Sequence, residues 1–260
     1  MCRLLGYLGR PIQLDRLLFK PEHSLVAQSY QPQEMTAGLL NADGFGLGWY
    51  HQEKEDVPYI YKNILPIWAD QNLPQIARYI ETTSTVGYVR SATPGLAIDI
   101  TNCQPFTREQ VLFVHNGYIE NFRQTLYRPI RNLLSDSDYQ AIQGNTDSEH
   151  IWALIKTNWR LSGYLITALE LTLQQLTELA QKYHTDFSAN IILNNRDRLI
   201  VSRYSDREKS PTLYWIANSP LFPDSVIIAS EPMFVGNWHA FSENSVMSVE
   251  KNLEVTCRKV

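Results

Sequence analysis

The chain has 260 residues, 44% of them hydrophobic and 19% charged, which is typical of a globular protein with a sizeable core. Its net charge of -4 and the lack of a basic stripe argue against nucleic acid as a partner. The three cysteines are widely spaced and form no CxxC pair, so we expect no metal, disulfide framework or cofactor. No secretion signal opens the chain, and no apolar run approaches the roughly 20 residues that span a bilayer. We therefore expect a cytoplasmic protein without a membrane partner.

Short strands and amphipathic helices are predicted along the whole chain. Runs rich in β-branched and aromatic residues predict strands, and apolar spacings of three and four predict helices, most clearly over 165–183. In chain order we expect a strand at 2–8, a helix at 15–19, a hairpin of 44–50 with 59–62, a helix at 72–81, strands at 85–91 and 111–115, a turn at 116–117, a strand at 118–119, helices at 121–134, 146–159 and 165–183, and strands at 190–193, 199–204, 212–217, 226–230 and 246–257. Strands flanking central helices favour one layered α+β domain over residues 1–260.

Cys2 is the first residue that can carry chemistry. If Met1 is removed, the thiol and the α-amine belong to the same residue. An α-amine titrates near ~7.7–8.0, so its neutral fraction can act as the base that activates the thiol. The alternative interpretation is a small buried residue that opens a strand.

Two further segments supply groups suited to acyl transfer. Arg90 ends an apolar strand ahead of small residues, where its planar guanidinium suits a carboxylate; the alternative is a surface arginine. Asn116 and Gly117 form the preferred dipeptide of a hairpin turn. The same turn can act as an oxyanion hole, with the Asn116 amide and the Gly117 N–H as donors. We assign His115 a structural role, because the α-amine already supplies the base.

Asp147 lies in the first turn of the helix expected from Thr146. Acidic residues are favoured there for capping, and Asp147 can also accept hydrogen bonds from a substrate ammonium. Together these residues match a γ-glutamyl group. Arg90 suits its α-carboxylate and Asp147 its α-amine. Cys2 can attack the γ-carbonyl, and Asn116 with Gly117 can hold the oxyanion.

On these motifs the chain resembles the class II glutamine amidotransferase domain of the N-terminal-nucleophile hydrolases. The matching motifs are Met1-Cys2, Asp43-Gly44-Phe45-Gly46, Arg90-Ser91-Ala92-Thr93, His115-Asn116-Gly117 with Asn121, Thr146-Asp147-Ser148-Glu149 and Ala229-Ser230-Glu231-Pro232. The resemblance implies a four-layer αββα sandwich, two antiparallel sheets between helical layers. It also implies that Met1 is removed and that Cys2 is the nucleophile, and it adds Thr93 to the substrate-binding residues.

The opening MCRLLGYLG and the run at 41–50 resemble more specifically the γ-glutamyl hercynylcysteine sulfoxide amidases of ergothioneine biosynthesis. This branch implies a small-molecule γ-glutamyl substrate whose leaving group carries a trimethylammonium. Aromatic faces bind such cations. The candidates to line a pocket for this cation are Trp49, Trp68, Tyr50 and Tyr30. The alternative interpretation is that these four residues are aromatic side chains of the core. Ser91 and Pro94 replace a Trp and a His that many glutamine amidotransferases carry, which weakens the case for free glutamine.

Three other functions stay open. The first is a glutaminase subunit that supplies ammonia to a separate synthase. The second is a glutathione or other γ-glutamyl peptide hydrolase, and the third is a non-catalytic scaffold that binds a metabolite. Because no synthase domain fits in this length, we favour hydrolysis. The sequence is silent on oligomeric state, and a homodimer is compatible with it.

Overall fold

Two antiparallel β-sheets lie face to face at the centre of the protein. The structure is a computed structural model that describes residues 1–35, 38–51, 55–92, 97–207 and 210–260. Its strands are β1 (Arg3–Gln13), β2 (Phe45–Trp49), β3 (Tyr59–Asn63), β4 (Glu81–Val89), β5 (Phe106–Arg108), β6 (Val111–Ile119), β7 (Phe187–Asn194), β8 (Leu199–Arg203), β9 (Tyr214–Ser219), β10 (Phe222–Ala229), β11 (His239–Ala240), β12 (Ser245–Val249) and β13 (Val255–Lys259). Across the described ranges, one sheet has the order β11-β9-β10-β1-β4-β2-β3 and the other β13-β12-β8-β7-β6-β5.

Helices cover the outer face of each sheet. They are α1 (Asp15–Leu18), α2 (Leu25–Tyr30), α3 (Leu73–Tyr79), α4 (Tyr127–Leu133), α5 (Asp136–Gln140), α6 (Asp147–Ser162) and α7 (Leu165–Tyr183). Leu17, Leu25 and Leu73 pack helices α1, α2 and α3 on the first sheet. Trp152 of α6 and Leu173 of α7 belong to the cluster that covers the second sheet. The four-layer αββα sandwich expected from the sequence is confirmed.

The layer between the sheets is filled by alternate side chains of the strands that face each other. Side chains point to opposite faces at successive strand positions, so one strand feeds two cores. The inward residues are Leu4 and Leu8 of β1, Val86 and Tyr88 of β4, Leu112 and Val114 of β6, and Ile192 of β7. This alternation also decides which polar residues share the inner space.

Most of the elements with a clear apolar pattern were predicted correctly. The helix at 165–183 matches α7, whose Leu169, Leu173 and Leu176 are fully buried. The helix at 146–159 matches α6, and the Thr146 hydroxyl caps it by accepting from the N–H of Glu149. Strand β2 pairs with β3 as the expected hairpin.

Three expectations were wrong. Asn116 and Gly117 form no turn, because β6 runs unbroken through them and pairs with β7 from Leu112 to Ile119. The single strand expected at 246–257 is a hairpin of β12 and β13, closed through Glu250. The helix expected at 121–134 begins only at Tyr127, since Asn121 adopts a left-handed φ of 49°.

Candidate active site

The apolar layer between the sheets ends in a group of polar side chains. A Cβ added at Gly6 would lie 3.3 Å from Ile192, which places the middle of β1 against the middle of β7. The next inward positions toward one end are Leu4 and then Cys2 on β1, and Asn190 on β7. Asn190 is paired with Asn116 of β6. By the same alternation, the position after Tyr88 on β4 is Arg90. The fold therefore brings Cys2, Arg90, Asn116 and Asn190 to the same end of the layer.

Cys2 is half-buried immediately before β1. Its Sγ lies 3.0 Å from the hydroxyl of Tyr88. The backbone N–H of Ser91 points at the same sulfur from 3.5 Å, and the Ser91 carbonyl lies 3.7 Å away. Sequence reasoning did not single out Tyr88, because an aromatic residue in an apolar strand is usually a core residue. The contact exists only because β1 and β4 pair with Leu4 opposite Tyr88.

Arg90 is buried and lies next to Cys2 at the end of the same pair of strands. Among the described residues, its guanidinium donates to the backbone carbonyls of Asp43 at 3.3 Å and Ala97 at 3.5 Å, and no carboxylate forms an ion pair with it. A buried guanidinium without an ion-paired carboxylate is suited to an anionic ligand, because its fork matches a carboxylate. The interpretation as a surface arginine is therefore wrong.

Asn116 is 1% exposed, yet neither its Nδ2 nor its Oδ1 has a hydrogen-bond partner among the residues that the structure describes. An unpaired buried amide costs about 1–3 kcal/mol, so such groups are rare unless a ligand completes them. At Gly117, a Cβ would lie 1.9 Å from the carbonyl oxygen of Ser188 on β7, so only glycine fits. The geometry leaves the Asn116 donor available for a negative oxygen that forms in the inner space.

Asp147 ties the start of α6 to the end of β6. Its Oδ2 accepts from the N–H of Ile119 at 2.8 Å, and its Oδ1 accepts from the N–H of Ser148 at 2.7 Å. The side chain is half-buried, and Oδ1 also accepts from the Ser148 hydroxyl at 3.4 Å, so Oδ2 is the oxygen that keeps a lone pair for a further donor. Asp147 therefore lies just past the strand that carries Asn116. Its carboxylate already links the start of α6 to the end of β6.

His115 lies on the opposite face of β6 from Asn116. Its ring hydrogen-bonds the Ser148 hydroxyl at 2.8 Å and the Ser188 carbonyl at 3.2 Å. Burial lowers the pKa of His115, so the ring is neutral around pH 7. The position agrees with the structural role expected from the sequence.

A buried ion-pair network beside Cys2 was missed by sequence reasoning. Arg3 is fully buried; its Nη1 donates to the Cys2 carbonyl at 3.0 Å and its Nε lies 2.9 Å from Glu231 Oε1. Glu231 Oε2 lies 2.7 Å from His23 Nε2 and accepts the N–H of Gln33 at 2.8 Å. The available signal was an arginine inside the otherwise apolar strand that starts at Cys2.

The carboxylate of Glu231 stays ionised in this network. Burial alone would raise the pKa of Glu231, but hydrogen bonds from His23 and the backbone, together with the charge of Arg3, leave it below its usual range. A second buried side chain, Asn41, donates to the Met1 carbonyl at 2.6 Å. The backbone carbonyls before and after the Cys2 α-carbon are thus both held by hydrogen bonds.

The remaining expected site residues fall into three groups. Thr93 and Pro94 lie outside the described residues. Trp49 and Tyr50 are core aromatics; the Tyr50 hydroxyl donates to Asn194 O at 2.6 Å, at the end of β7 remote from Asn190. Tyr30 and Trp68 form an edge-to-face pair, with ring centroids 5.8 Å apart, and are 43% and 41% exposed.

The described ranges hold neither a cluster of metal ligands nor a membrane-spanning helix. No group of three or more His, Cys, Asp or Glu residues is arranged to hold a metal ion there. Helices long and apolar enough to cross a bilayer are also missing from that part of the chain.

Comparison with known sequences identifies relatives over nearly the whole chain. The family model of the class II glutamine amidotransferases matches residues 19–252. A Saccharomyces cerevisiae protein named "Probable glutamine amidotransferase DUG3" is 30% identical over 96% of this chain and 82% of its own length. A gamma-glutamyl-hercynylcysteine sulfoxide hydrolase of Mycolicibacterium smegmatis is 30% identical, with 89% of this chain and 88% of that protein covered.

Solved structures share the fold at lower sequence identity. A glutamine aminotransferase class-II domain protein from Silicibacter pomeroyi superimposes with a TM-score of 0.72, at 20% identity and 99% coverage of both chains. The glutamine phosphoribosylpyrophosphate amidotransferase of B. subtilis gives a TM-score of 0.65 at 16% identity, over 99% of this chain and 49% of that one. These likenesses concern the fold alone. With the family match over most of its length, the chain belongs to the class II glutamine amidotransferases and is an enzyme of that family.

Proposed function

We propose that the protein hydrolyses a γ-glutamyl amide, with Cys2 as an N-terminal nucleophile once Met1 has been removed. The observation that carries this proposal is the gathering of three groups: Cys2, the buried Arg90 guanidinium and the buried Asn116 amide. Within the described part of the chain, Arg90 forms no ion pair with a carboxylate and the Asn116 amide has no hydrogen-bond partner. A nucleophile, an anion anchor and an oxyanion donor are the parts that acyl transfer from a glutamyl group requires.

Substrate recognition is assigned to the two ends of the glutamyl group. Arg90 holds the α-carboxylate, with Thr93 as a further contact. Asp147 accepts from the α-ammonium through the Oδ2 lone pair that Ile119 leaves unused. The γ-carbonyl then lies between Cys2 Sγ and the Asn116 amide.

The reaction proceeds through a thioester. The free α-amine of Cys2 takes the thiol proton, the sulfur forms a bond to the γ-carbon, and the oxygen charge is held by Asn116 and the Gly117 N–H. Collapse breaks the C–N bond, and the α-ammonium gives its proton to the departing amine. Water then attacks the thioester and releases glutamate and the thiol. General acid–base assistance of this kind contributes about 10²–10⁴-fold.

For the leaving group we propose a hercynylcysteine sulfoxide, which places the enzyme in ergothioneine synthesis. Support comes from the Mycolicibacterium smegmatis relative, whose length this chain covers to 88%. The half-exposed Tyr30–Trp68 pair supplies aromatic faces for a trimethylammonium. Tyr30 follows Ser29, whose carbonyl accepts from the N–H of Asn41, and Asn41 in turn contacts Met1. These contacts connect the end of α2 to the residue that precedes Cys2.

A second candidate is supported by the Saccharomyces cerevisiae relative, which is named a probable glutamine amidotransferase and covers more of this chain. In that function the substrate is free glutamine and the product is ammonia for a separate synthase. A glutathione or γ-glutamyl peptide hydrolase would use the same residues with another leaving group.

The test compares substrates on protein whose removal of Met1 is verified by intact mass. Glutamine, glutathione and γ-glutamyl hercynylcysteine sulfoxide are offered separately, and glutamate and ammonia are measured. We expect glutamate without ammonia from the hercynyl substrate and no turnover by Cys2→Ala. Trp68→Ala should raise KM for that substrate and leave KM for glutathione unchanged.

Three other outcomes would change the assignment. Rapid ammonia release from glutamine would replace the hydrolase by the ammonia-donating subunit. Turnover of glutathione alone would remove the ergothioneine assignment but keep the chemistry. Activity retained in Cys2→Ala would refute the nucleophile itself.

A further inference from the structure

We propose that Tyr88 is a catalytic residue whose hydroxyl donates a hydrogen bond to the Cys2 thiolate. The inference rests on the proposed nucleophile and adds a second group that contacts the reacting sulfur. Tyr88 Oη lies 3.0 Å from Cys2 Sγ, and the Ser91 N–H approaches the same atom from 3.5 Å. Two donors thus converge on the sulfur from the strand next to it.

The direction of the Tyr88 bond follows from what surrounds the hydroxyl. Tyr88 is 3% exposed, and Cys2 Sγ is the only partner of its hydroxyl among the described residues. A buried phenol donates its proton where an acceptor exists, and the sulfur is the acceptor here. Burial also raises the pKa of Tyr88, so the phenol keeps its proton throughout the neutral range.

The thiol has a separate acceptor for its own proton. The Ser91 carbonyl lies 3.7 Å from Sγ, within the range of a weak S–H donor. In the resting state the S–H can point to Ser91 while Tyr88 donates to a sulfur lone pair. When the α-amine removes the proton, the Tyr88 bond becomes charge-assisted and strengthens.

The effect of this bond on the reaction has two parts. A hydrogen bond to a charged group is worth enough to lower a thiol pKa by about one unit, which raises the thiolate fraction about tenfold. A less basic thiolate is also less nucleophilic, with a Brønsted slope of about 0.4–0.5, so the net gain in attack at neutral pH is about threefold. The same stabilisation makes the sulfur a better leaving group when water cleaves the thioester.

The experiment measures the thiol without any substrate, so its result is independent of the proposed function. Alkylation of Cys2 by iodoacetamide is followed between pH 5 and about 10 by mass spectrometry of the N-terminal peptide, which separates Cys2 from the exposed Cys257. Tyr88→Phe keeps the ring and removes the donor. Tyr50→Phe is the matched control, because Tyr50 is equally buried in the same cluster and its hydroxyl bonds only backbone carbonyls.

We expect Tyr88→Phe to slow the alkylation of Cys2 at neutral pH by about threefold, because the thiolate loses one charge-assisted hydrogen bond. In the alkaline limit, where both proteins are fully ionised, the alkylation of Tyr88→Phe should be equal or faster. Tyr50→Phe should leave the pH dependence of alkylation unchanged. An unchanged pH dependence of Cys2 alkylation in folded Tyr88→Phe would overturn the proposal.

A second measurement covers the case in which Tyr88→Phe does not fold. Uniform replacement of tyrosine by 3-fluorotyrosine makes every phenol a stronger donor without removing any side chain. Alkylation of Cys2 at neutral pH should then be faster than in the unlabelled protein. A slower or unchanged rate would count against Tyr88 as the donor.

Discussion

Asn116 and Asn190 stand opposite each other on β6 and β7, both fully buried, yet only Asn190 has hydrogen-bond partners for its amide nitrogen. Asn190 Nδ2 donates to the carbonyls of Pro211 and Thr212, both at 3.1 Å. The Asn116 amide has no partner among the described residues. The Asn190 amide is therefore structural, whereas the Asn116 amide is available to a ligand.

This contrast predicts opposite effects on activity and stability. Asn116→Ala removes an oxyanion donor, so turnover should fall about 10²–10³-fold. Its thermal midpoint should stay level or rise, because an unsatisfied buried amide is also removed. Asn190→Ala should instead lower the midpoint. Parallel melting curves and kcat values check both, and a large drop in the midpoint of Asn116→Ala would contradict the assignment.

Gly117→Ala should destabilise the protein more than a surface glycine substitution. The added Cβ would lie 1.9 Å from the backbone oxygen of Ser188, and backbone cannot move aside as a flexible side chain can. Overpacking of this kind typically costs about 1–3 kcal/mol. Gly163→Ala is the comparison, because nothing lies within 4 Å there and only its φ of 73° resists substitution. Denaturant unfolding of both variants gives the difference, and an unaffected Gly117→Ala would show that β6 and β7 can separate locally.

Glu231→Gln should lower the free energy of unfolding by about 3–5 kcal/mol, the usual cost of leaving one partner of a buried ion pair uncompensated. The partner here is Arg3, which also holds the Cys2 carbonyl, so kcat should fall as well. The control is Glu250→Gln, in an exposed pair with Arg198 that is worth at most about 1 kcal/mol. Equal stability losses in the two variants would refute a special role for the buried network.

Asp138 should make the free energy of unfolding depend on pH in the acidic range. Burial would raise the pKa of Asp138, but hydrogen bonds from Arg160 and Ser135 and the charge of Lys156 lower it to about 2. A depressed folded pKa means that the unfolded chain binds the proton first. The stabilisation is therefore complete above the usual aspartate range and is lost as pH falls from about 4 toward 2. Asp138→Asn should be less stable at pH 7 and should show a flatter slope in that window, measured by urea unfolding at each pH.

Helices and strands with a clear hydrophobic periodicity were predictable from the sequence. Elements whose structure depends on pairing with a strand far away in the chain were not. Helix α7 follows from its leucine spacing alone. The local preference of Asn116-Gly117 for a turn was overridden, because β7 provides a partner for every residue from Leu112 to Ile119. No local signal in β6 distinguishes these two outcomes.

Some residues of the candidate site were predictable from the sequence and others were not. Residue type and motif predicted Cys2, Arg90 and Asn116, and the fold brings them together at one end of the inner layer. Tyr88 and Glu231 matter only through contacts with Cys2 and Arg3, residues far away in the chain. Such support is visible only once the strand register is known.

The position of β1 has a consequence for the order of synthesis. It is the middle strand of its sheet, paired with β4 on one side and β10 on the other. While the ribosome has not yet made residues 222–231, β1 has one open edge and Arg3 lacks the carboxylate of Glu231. Cys2 is therefore made long before the strand and the carboxylate that fix it in place. We expect the nascent chain to carry an inactive thiol until residues 222–231 have been made and have paired with β1.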